Sequence, residues 1–257
     1  MTDRPTCRSR MQAGERLYGT MAFELFTPGL TAILAEAGLD FVILDMEHSG
    51  AGIDTIKQQI AYARGLPIEI WVRVPEKSYA AVATVLDAGA QGIMMPMLET
   101  EAEAKALVEW ARYRPEGKRG LAFGMAHDDY RAKDPAGAMA FANARNVLIP
   151  LIETKKGIRN ADAILAVPGI DIGWLGHFDL TNDLGITAQF DHKDFWDAVK
   201  TLGKAGKKHG KPLGIVDGDP AFVGKLVKQG FRILGFANDS AVLRNGMRAG
   251  VGALRSL

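Results

Sequence analysis

The chain has 257 residues, with 31 Lys and Arg against 30 Asp and Glu, so its formal net charge is +1. Hydrophobic residues make up 47% of it and charged residues 24%, as in ordinary globular proteins. This balance provides no global basic field, which argues against nucleic acid or an anionic membrane as a partner. Apolar runs such as Phe41–Leu44 are far shorter than the roughly 20 residues that cross a bilayer.

Cysteine usage and the start of the chain indicate the cellular compartment. Cys7 is the one cysteine, so neither an intrachain disulfide nor a thiolate zinc cluster can form. Arg4, Arg8 and Arg10 are followed by no apolar run, unlike the start of a secretory signal. We therefore expect a cytoplasmic protein, with residues 1–13 as a flexible basic extension.

Short apolar runs alternate with amphipathic stretches along the whole chain. The predicted strands are Leu17–Met21, Phe41–Asp45, Glu69–Val74, Gly92–Met95, Val147–Ile152, Asp171–Leu175, Leu213–Val216 and Arg232–Phe236. The predicted helices are Thr31–Ala37, Ile53–Arg64, Tyr79–Ala88, Glu101–Arg112, Gly157–Val167, Lys193–His209, Ala221–Gln229 and Ala241–Ala249. Near-continuous apolar strands separated by helices are typical of a parallel sheet covered on both faces.

Eight such units in this length predict one (β/α)8-barrel domain over residues 1–257. A doubly wound open sheet is the competing architecture. One connection is unusually long: it runs from Tyr113 to about Ala136, after the fourth unit, and is rich in polar residues. Because long loops in compact domains are often functional, we predict that it is a lid.

Polar side chains gather where the predicted strands end, which is where such barrels hold their catalytic groups. Glu153 ends the fifth strand and Asp179 follows the sixth. Carboxylates on adjacent strands repel unless a cation or a proton lies between them. This pair suits a hard divalent ion such as Mg²⁺ or Mn²⁺. The alternative is that each carboxylate caps the following helix.

A second polar group follows the second and third strands. His48 comes three residues after Asp45, and an Asp that holds a His ring favours a general base or proton shuttle. Glu47 either faces waters on the metal or braces the adjacent loop. Arg73 offers a planar fork that can bind a carboxylate or stabilise an enolate. An internal ion pair of Arg73 with Asp45 or Glu47 is the alternative.

These motifs in order resemble the HpcH/HpaI aldolases, which are divalent-metal-dependent pyruvate aldolases. The resemblance runs from about Gly14 to the C-terminus and rests on Leu44-Asp45-Met46-Glu47-His48, Val72-Arg73-Val74-Pro75, the segment Tyr113 to Gly120, Ile152-Glu153-Thr154 and Gly176-His177-Phe178-Asp179-Leu180-Thr181.

The resemblance implies roles for individual residues. Glu153 and Asp179 would bind the metal, which is Mg²⁺, Mn²⁺ or Co²⁺. Arg73 would contact the oxo acid and its enolate, and His48, paired with Asp45, would transfer protons. The backbone from Gly176 through His177 and Phe178 to Asp179 would hold the substrate carboxylate. The protein would be a trimer or hexamer that exchanges a C-terminal helix, here about Asp239–Leu257.

The implied activity is reversible cleavage of a 4-hydroxy-2-oxo acid to pyruvate and an aldehyde. Alternatives are a lyase related to the citrate lyase β subunit or malyl-CoA lyase, and a decarboxylase or hydrolase that uses the same enolate. A catalytically silent barrel that binds an oxo acid is the alternative outside enzymes. His177 and Phe178 stand where Pro and a small residue are common in the family, so Phe178 is expected to narrow the pocket.

Overall fold

Eight parallel strands close into a barrel in chain order in the computed structural model, which describes residues 4–131 and 134–257. The last strand pairs with the first, so the barrel is confirmed and the open sheet is wrong. The strands are β1 (Leu17–Ala22), β2 (Phe41–Asp45), β3 (Glu69–Arg73), β4 (Gly92–Met95), β5 (Val147–Ile152), β6 (Gly173–Leu175), β7 (Leu213–Asp217) and β8 (Phe231–Asn238).

Helices surround the strands and match most of the predicted positions. They are α1 (Cys7–Gln12), α2 (Leu30–Glu36), α3 (Ile53–Tyr62), α4 (Tyr79–Asp87), α5 (Glu101–Ala111), α6 (Pro135–Arg145), α7 (Lys155–Arg159), α8 (Ala161–Ala166), α9 (His177–Asp183), α10 (Lys193–Lys208), α11 (Pro220–Val227) and α12 (Asp239–Arg255). A short 3₁₀ turn covers Ala126–Asp128. The single predicted helix over Gly157–Val167 is two helices, α7 and α8.

The core has two layers because successive side chains of a strand point to opposite faces. In β2, Phe41 and Ile43 belong to the cluster inside the barrel. Val42 and Leu44 belong to the larger cluster that also includes helix residues. Inside the barrel, Phe41 stacks on Trp71 with ring centroids 4.1 Å apart.

The expected flexible extension over residues 1–13 differs from the structure. Residues 7–12 form α1, in which Cys7 and Met11 are buried against the barrel interior. Arg8 Nε lies 2.7 Å from Asp171 Oδ1, and Arg10 pairs with Asp40. These contacts hold α1 against the end of the barrel where the strands begin. Residues 1–3 lie outside the described part of the chain.

The seam between the first and last strands is held by Asp239 as well as by strand pairing. Its carboxylate accepts hydrogen bonds from the backbone N–H groups of Phe23, Glu24 and Leu25, at 3.1, 2.9 and 2.7 Å. The helix cap at this point is Asn238, whose side chain accepts from the Ala241 N–H. Asp239 thus joins the start of α12 to the segment after β1, and Asn238 caps the helix.

The long connection between α5 and α6 packs against the outer helices. Arg119 pairs with Asp87 at 2.6 Å, the Gly120 N–H donates to the Tyr79 hydroxyl at 3.0 Å, and Arg64 donates to the Ala126 carbonyl at 3.2 Å. Residues 132–133 of the predicted lid lie outside the described residues. Within residues 113–131, no hydrogen bond reaches Asp45, Arg73, Glu153 or Asp179, so the lid stays a prediction.

The last helix projects an uncovered apolar face. None of the residues in α12 is buried. Its exposed apolar side chains are Val242, Leu243, Met247, Val251 and Leu254. Over residues 4–131 and 134–257, no helix is long and apolar enough to cross a membrane.

Candidate active site

Arg73 forms the centre of the polar cluster at the carboxyl ends of the strands. Only 7% of the residue is exposed, and its Nε donates to Asp45 Oδ1 at 2.6 Å. Its Nη1 lies 3.0 Å from Glu47 Oε2. Because a buried guanidinium requires anionic partners, the two carboxylates fix the orientation of the fork. The alternative of an internal ion pair is therefore what the structure shows, and it involves both acids.

The predicted pairing of Asp45 with the His48 ring differs from the observed geometry. Asp45 accepts hydrogen bonds from the backbone N–H groups of Glu47 and His48, at 3.1 and 2.8 Å. It thereby shapes the turn after β2. The side chain of His48 is 60% exposed, and its Nε2 lies 3.8 Å from Glu47 Oε2. The ring stands free at the mouth of the barrel, with Glu47 as its nearest charged neighbour.

Glu153 is the most perturbed acid of this cluster. It is 3% exposed, and its Oε1 accepts from the Met97 N–H at 2.7 Å. Its pKa is raised to about 7: burial is the largest cause and the charges of Asp179 and Glu47 add to the rise, whereas the Met97 hydrogen bond and Arg73 oppose it. A carboxylate in this position is therefore short of positive charge.

Glu47 and Asp179 face the same space. Burial raises the pKa of Glu47 despite Arg73, and Asp45 and Asp179 add to the rise. The buried Glu47 Oε2 accepts no hydrogen bond of good geometry within the described chain. Asp179 lies in the first turn of α9 and is exposed. The negative charges of Glu47 and Asp179 thus both raise the pKa of Glu153.

The donor set fits a hard divalent ion that keeps water ligands. Carboxylate oxygens are the ligands that Mg²⁺ and Mn²⁺ prefer, and Mg²⁺ is held by one or two carboxylates together with waters. In the ranges that the structure describes, no three His, Cys, Asp or Glu side chains are arranged to hold a metal. Glu153 and Asp179 would therefore leave most coordination positions to water and substrate.

Gly176 makes room for the Glu153 carboxylate. A Cβ at this position would lie 2.3 Å from Glu153 Oε2 and 2.6 Å from its Cβ. Any other residue at 176 would displace the carboxylate or the turn that leads to Asp179. This close approach explains why glycine stands between β6 and α9.

His177 and Phe178 lie beside this group rather than within it. The buried His177 Nε2 lies 3.0 Å from Asp217 Oδ2. Burial opposes ionisation of Asp217, but His177 and the Asp219 N–H outweigh it and lower its pKa. His177 and Phe178 line a cavity of about 550 Å³ that also contacts Asp217, Phe236 and Asn238.

Met97 was missed by the sequence analysis, although its backbone contacts Glu153. Its φ is +50°, a conformation that is uncommon for a residue with a side chain. The Met97 carbonyl accepts from Lys77 Nζ at 3.0 Å, and Lys77 also pairs with Glu103. A contact made through a backbone N–H leaves no signal in the sequence, so the residues after β4 do not indicate this one.

A parallel barrel with acids and one buried guanidinium at the carboxyl ends of its strands is typical of enzymes. The model of the HpcH/HpaI aldolase/citrate lyase family matches residues 21–246, and the chain belongs to this family. The family and its named relatives are aldolases and lyases, which makes this chain a lyase by class.

Two relatives and one solved structure illustrate the similarity. A hydroxypyruvate/pyruvate aldolase of Roseobacter denitrificans is 33% identical over 242 residues, which is 93% of each chain. A 5-keto-4-deoxy-D-glucarate aldolase of Shigella boydii is 31% identical over 86% of this chain and 85% of its own. The crystal structure of an HpcH/HpaI aldolase from Desulfitobacterium hafniense has a TM-score of 0.93 at 30% identity, covering 99% of this chain and 98% of that one.

Proposed function

We propose that the protein catalyses reversible aldol cleavage of a 4-hydroxy-2-oxo acid to pyruvate and an aldehyde. The observation that carries the proposal is Glu153, a buried carboxylate with a pKa of about 7 beside two further acids and one guanidinium. The names of the two aldolase relatives support an oxo-acid substrate.

The residues of the chain would divide the work as follows. Asp45 and Glu47 orient Arg73 by its Nε and Nη1, which leaves its other N–H groups to contact the oxo acid. As the C3–C4 bond breaks, its electron pair moves into the enolate of pyruvate, and Arg73 places a fixed positive charge where this oxyanion develops. His48 would accept the proton of the C4 hydroxyl, and the enolate then takes a proton to give pyruvate.

Glu153 and Asp179 would hold the divalent ion, which is Mg²⁺ or Mn²⁺, with Co²⁺ as the third candidate. When bound, the ion supplies a Lewis acid for the carboxylate and 2-oxo group of the substrate. The backbone from Gly176 to Asp179 would bind the substrate carboxylate. The cavity beside His177 and Phe178 would take the aldehyde part, and Phe178 would limit its width.

Metal removal and paired variants test this proposal. We expect a chelator to abolish cleavage and Mg²⁺, Mn²⁺ or Co²⁺ to restore it. Glu153→Gln and Asp179→Asn should raise the metal Kd strongly. Glu101→Gln is the matched control, because Glu101 pairs with Lys105 on the exposed surface of α5. Full activity in excess chelator, or borohydride trapping of a lysine Schiff base, contradicts the proposal.

A second candidate is cleavage of a citrate-like or malyl-CoA-like substrate, because the matching family includes citrate lyase. Assays with 2-oxo acids plus aldehydes, set against acyl-CoA substrates, separate the two. Cleavage confined to the acyl-CoA substrates would replace the first candidate.

The apolar face of α12 supports a homo-oligomer. Exposed apolar side chains along one helix are costly in water unless a partner covers them. A second copy of the chain, in a trimer or hexamer, would cover α12 by helix exchange. Native mass spectrometry of the full chain measures the assembly, and a monomer at micromolar concentration contradicts it.

A further inference from the structure

A second concave surface lies at the opposite end of the barrel from Arg73. It has a volume of about 510 Å³ and is formed by the second half of α10, the loop before β7 and the loop into β8. Six cations line it, and no carboxylate does, over the part of the chain that the structure describes. We call this surface the basic groove; its cations are Lys200, Lys204, Lys207, Lys211, Lys228 and Arg232.

Glycines in α10 bring the two walls of the basic groove together. A Cβ on Gly203 would lie 2.9 Å from the Gln229 carbonyl oxygen. A Cβ on Gly206 would lie 3.0 Å from the Lys211 carbonyl oxygen and from Leu213. A side chain at either position would push α10 away from the barrel. The close approach instead sets Lys204 and Lys207 opposite Lys228 and Arg232.

Most of these cations lack a neutralising partner. Lys200 lies 3.4 Å from Asp197, and Lys211 donates to the Ile170 carbonyl at 2.7 Å. Lys204, Lys207, Lys228 and Arg232 form no ion pair with any residue in 4–131 or 134–257. By contrast, Lys208 and His209, just outside the groove, share Asp162.

We propose that the basic groove binds a compact polyanion that carries at least three negative charges, such as a polyphosphate or a tricarboxylate. Clustered like charges repel one another, and a polyanion would offset this repulsion. The volume lies in the range of small-molecule sites, about 300–1,000 Å³. The whole chain has a net charge of +1, so six cations in one groove are a local concentration and not a general surface property.

The basic groove is remote from the candidate active site. It lies where β7 and β8 begin, and the acids of the mouth lie where the strands end. A strand of five residues such as β7 spans about 16 Å. An anion in the groove would therefore not overlap a substrate bound near Arg73. The proposal does not depend on the aldolase reaction.

Calorimetric titration of the metal-free protein with sodium tripolyphosphate, and separately with tricarballylate, tests the proposal. Metal-free buffer is required because tripolyphosphate itself binds divalent ions. We expect saturable binding of one anion per chain that weakens as NaCl is added. Lys204→Gln/Lys207→Gln/Lys228→Gln should weaken it by about tenfold or more, from the loss of three charge contacts. Hydrogen exchange should slow at residues 200–211 and 228–232 on binding.

The matched control is Lys57→Gln/Lys105→Gln/Lys118→Gln, which removes the same charge from exposed positions elsewhere. It should bind as the unsubstituted chain does, and thermal melting should show that both triple variants are folded. Binding of one probe alone identifies the phosphate or the carboxylate class. The proposal is wrong if neither anion saturates, if the control weakens equally, or if a hexa-aspartate peptide binds where both small anions fail.

Discussion

The two ends of the barrel use the same kinds of side chain in opposite ways. Where the strands begin, Asp171 pairs with both Arg8 and Arg112, and Asp40 pairs with Arg10, whereas the buried Glu69 accepts from the Cys7 N–H and the Trp71 Nε1–H. Where the strands end, Arg73 alone serves Asp45 and Glu47. Glu153 has a backbone N–H instead of a cation as its direct partner.

The difference shows that burial of charge does not by itself mark a functional site. Arg112 is fully buried, but its guanidinium donates to the Asn143 and Asn146 carbonyls and pairs with Asp171. The acids at the mouth have too few cationic partners to offset their burial, and the pKa values of Glu47 and Glu153 are therefore raised. Burial raises the pKa of Glu69 in the same way where the strands begin, so a raised pKa supports a binding site only where several acids and a guanidinium converge, as they do around Glu153.

The largest contrast is expected between Arg73 and Arg112. Arg73→Ala should lower turnover by about 10²–10³, because a preorganised donor for the enolate is lost. Arg73→Lys should recover part of this, since an ammonium cannot reproduce the planar fork. Arg112→Met should instead lower the unfolding free energy by about 3–5 kcal/mol while turnover per folded molecule persists.

Pyruvate α-proton exchange in deuterated water reports enolate formation without any aldehyde. Exchange by Arg73→Ala at the rate of the unsubstituted protein would show that Arg73 does not stabilise the enolate. If folded Arg112→Met lost as much turnover as Arg73→Ala, the distinction between a catalytic Arg73 and a structural Arg112 would be wrong.

His48 is expected to have the next effect. His48→Ala should lower cleavage by about 10², at the lower end of general acid–base catalysis, because the ring is exposed and weakly held. Metal Kd should stay unchanged, unlike that of Glu153→Gln. A changed metal Kd would assign His48 to the metal site instead.

The raised pKa of Glu153 makes the free energy of unfolding depend on pH. Its pKa in the folded chain is about 7, above the ordinary value of 4.5, so the folded state holds the proton more tightly. The stability this contributes is fully present below pH 4.5 and is lost as pH rises to 7, by about 3 kcal/mol. Glu47, whose pKa is also raised, acts in the same direction.

Urea unfolding of the metal-free protein between pH 5 and pH 8 should show this decline, and Glu153→Gln should flatten it. A profile for Glu153→Gln as steep as that of the unsubstituted chain would mean that Glu153 is ionised throughout. Metal binding requires the ionised carboxylate, so metal affinity should fall below about pH 7.

The smallest effect is expected at Lys77, which acts on Glu153 through the Met97 peptide. Lys77→Met removes the hydrogen bond to the Met97 carbonyl, so the left-handed turn should loosen and the metal Kd should rise about fivefold. Lys105→Met, which breaks the exposed pair with Glu101, is the control and should change nothing. Equal metal affinity in both variants would show that Lys77 has no influence on metal binding by Glu153.

The strands and the outer helices could be predicted from sequence because burial imposes a visible period. Three helices were not predicted: α1, α6 and the short α9. The helix α1 is short and Arg-rich, and its two buried residues, Cys7 and Met11, are too few to reveal an apolar face. The helix α6 (Pro135–Arg145) consists largely of Ala and Gly, which gives it little contrast between faces.

The acids and Arg73 could be placed at the mouth because parallel strands end on one side of a barrel. Their individual contacts could not be foreseen. Asp45 binds the His48 backbone instead of its ring, and Met97 reaches Glu153 through a peptide N–H. Both bonds depend on backbone conformation, which leaves little trace in the choice of side chain.

The hydrogen bonds that Asp239 accepts from the segment after β1 affect when the barrel can close during synthesis. Translation delivers β1 first, but its second neighbour, β8, and the carboxylate that holds Phe23, Glu24 and Leu25 come more than two hundred residues later. Until then the nascent sheet exposes an open edge, and pairings between distant parts of a chain form slowly. The barrel therefore stays open until late in synthesis, and this interval is when a chaperone or an aggregation partner can bind.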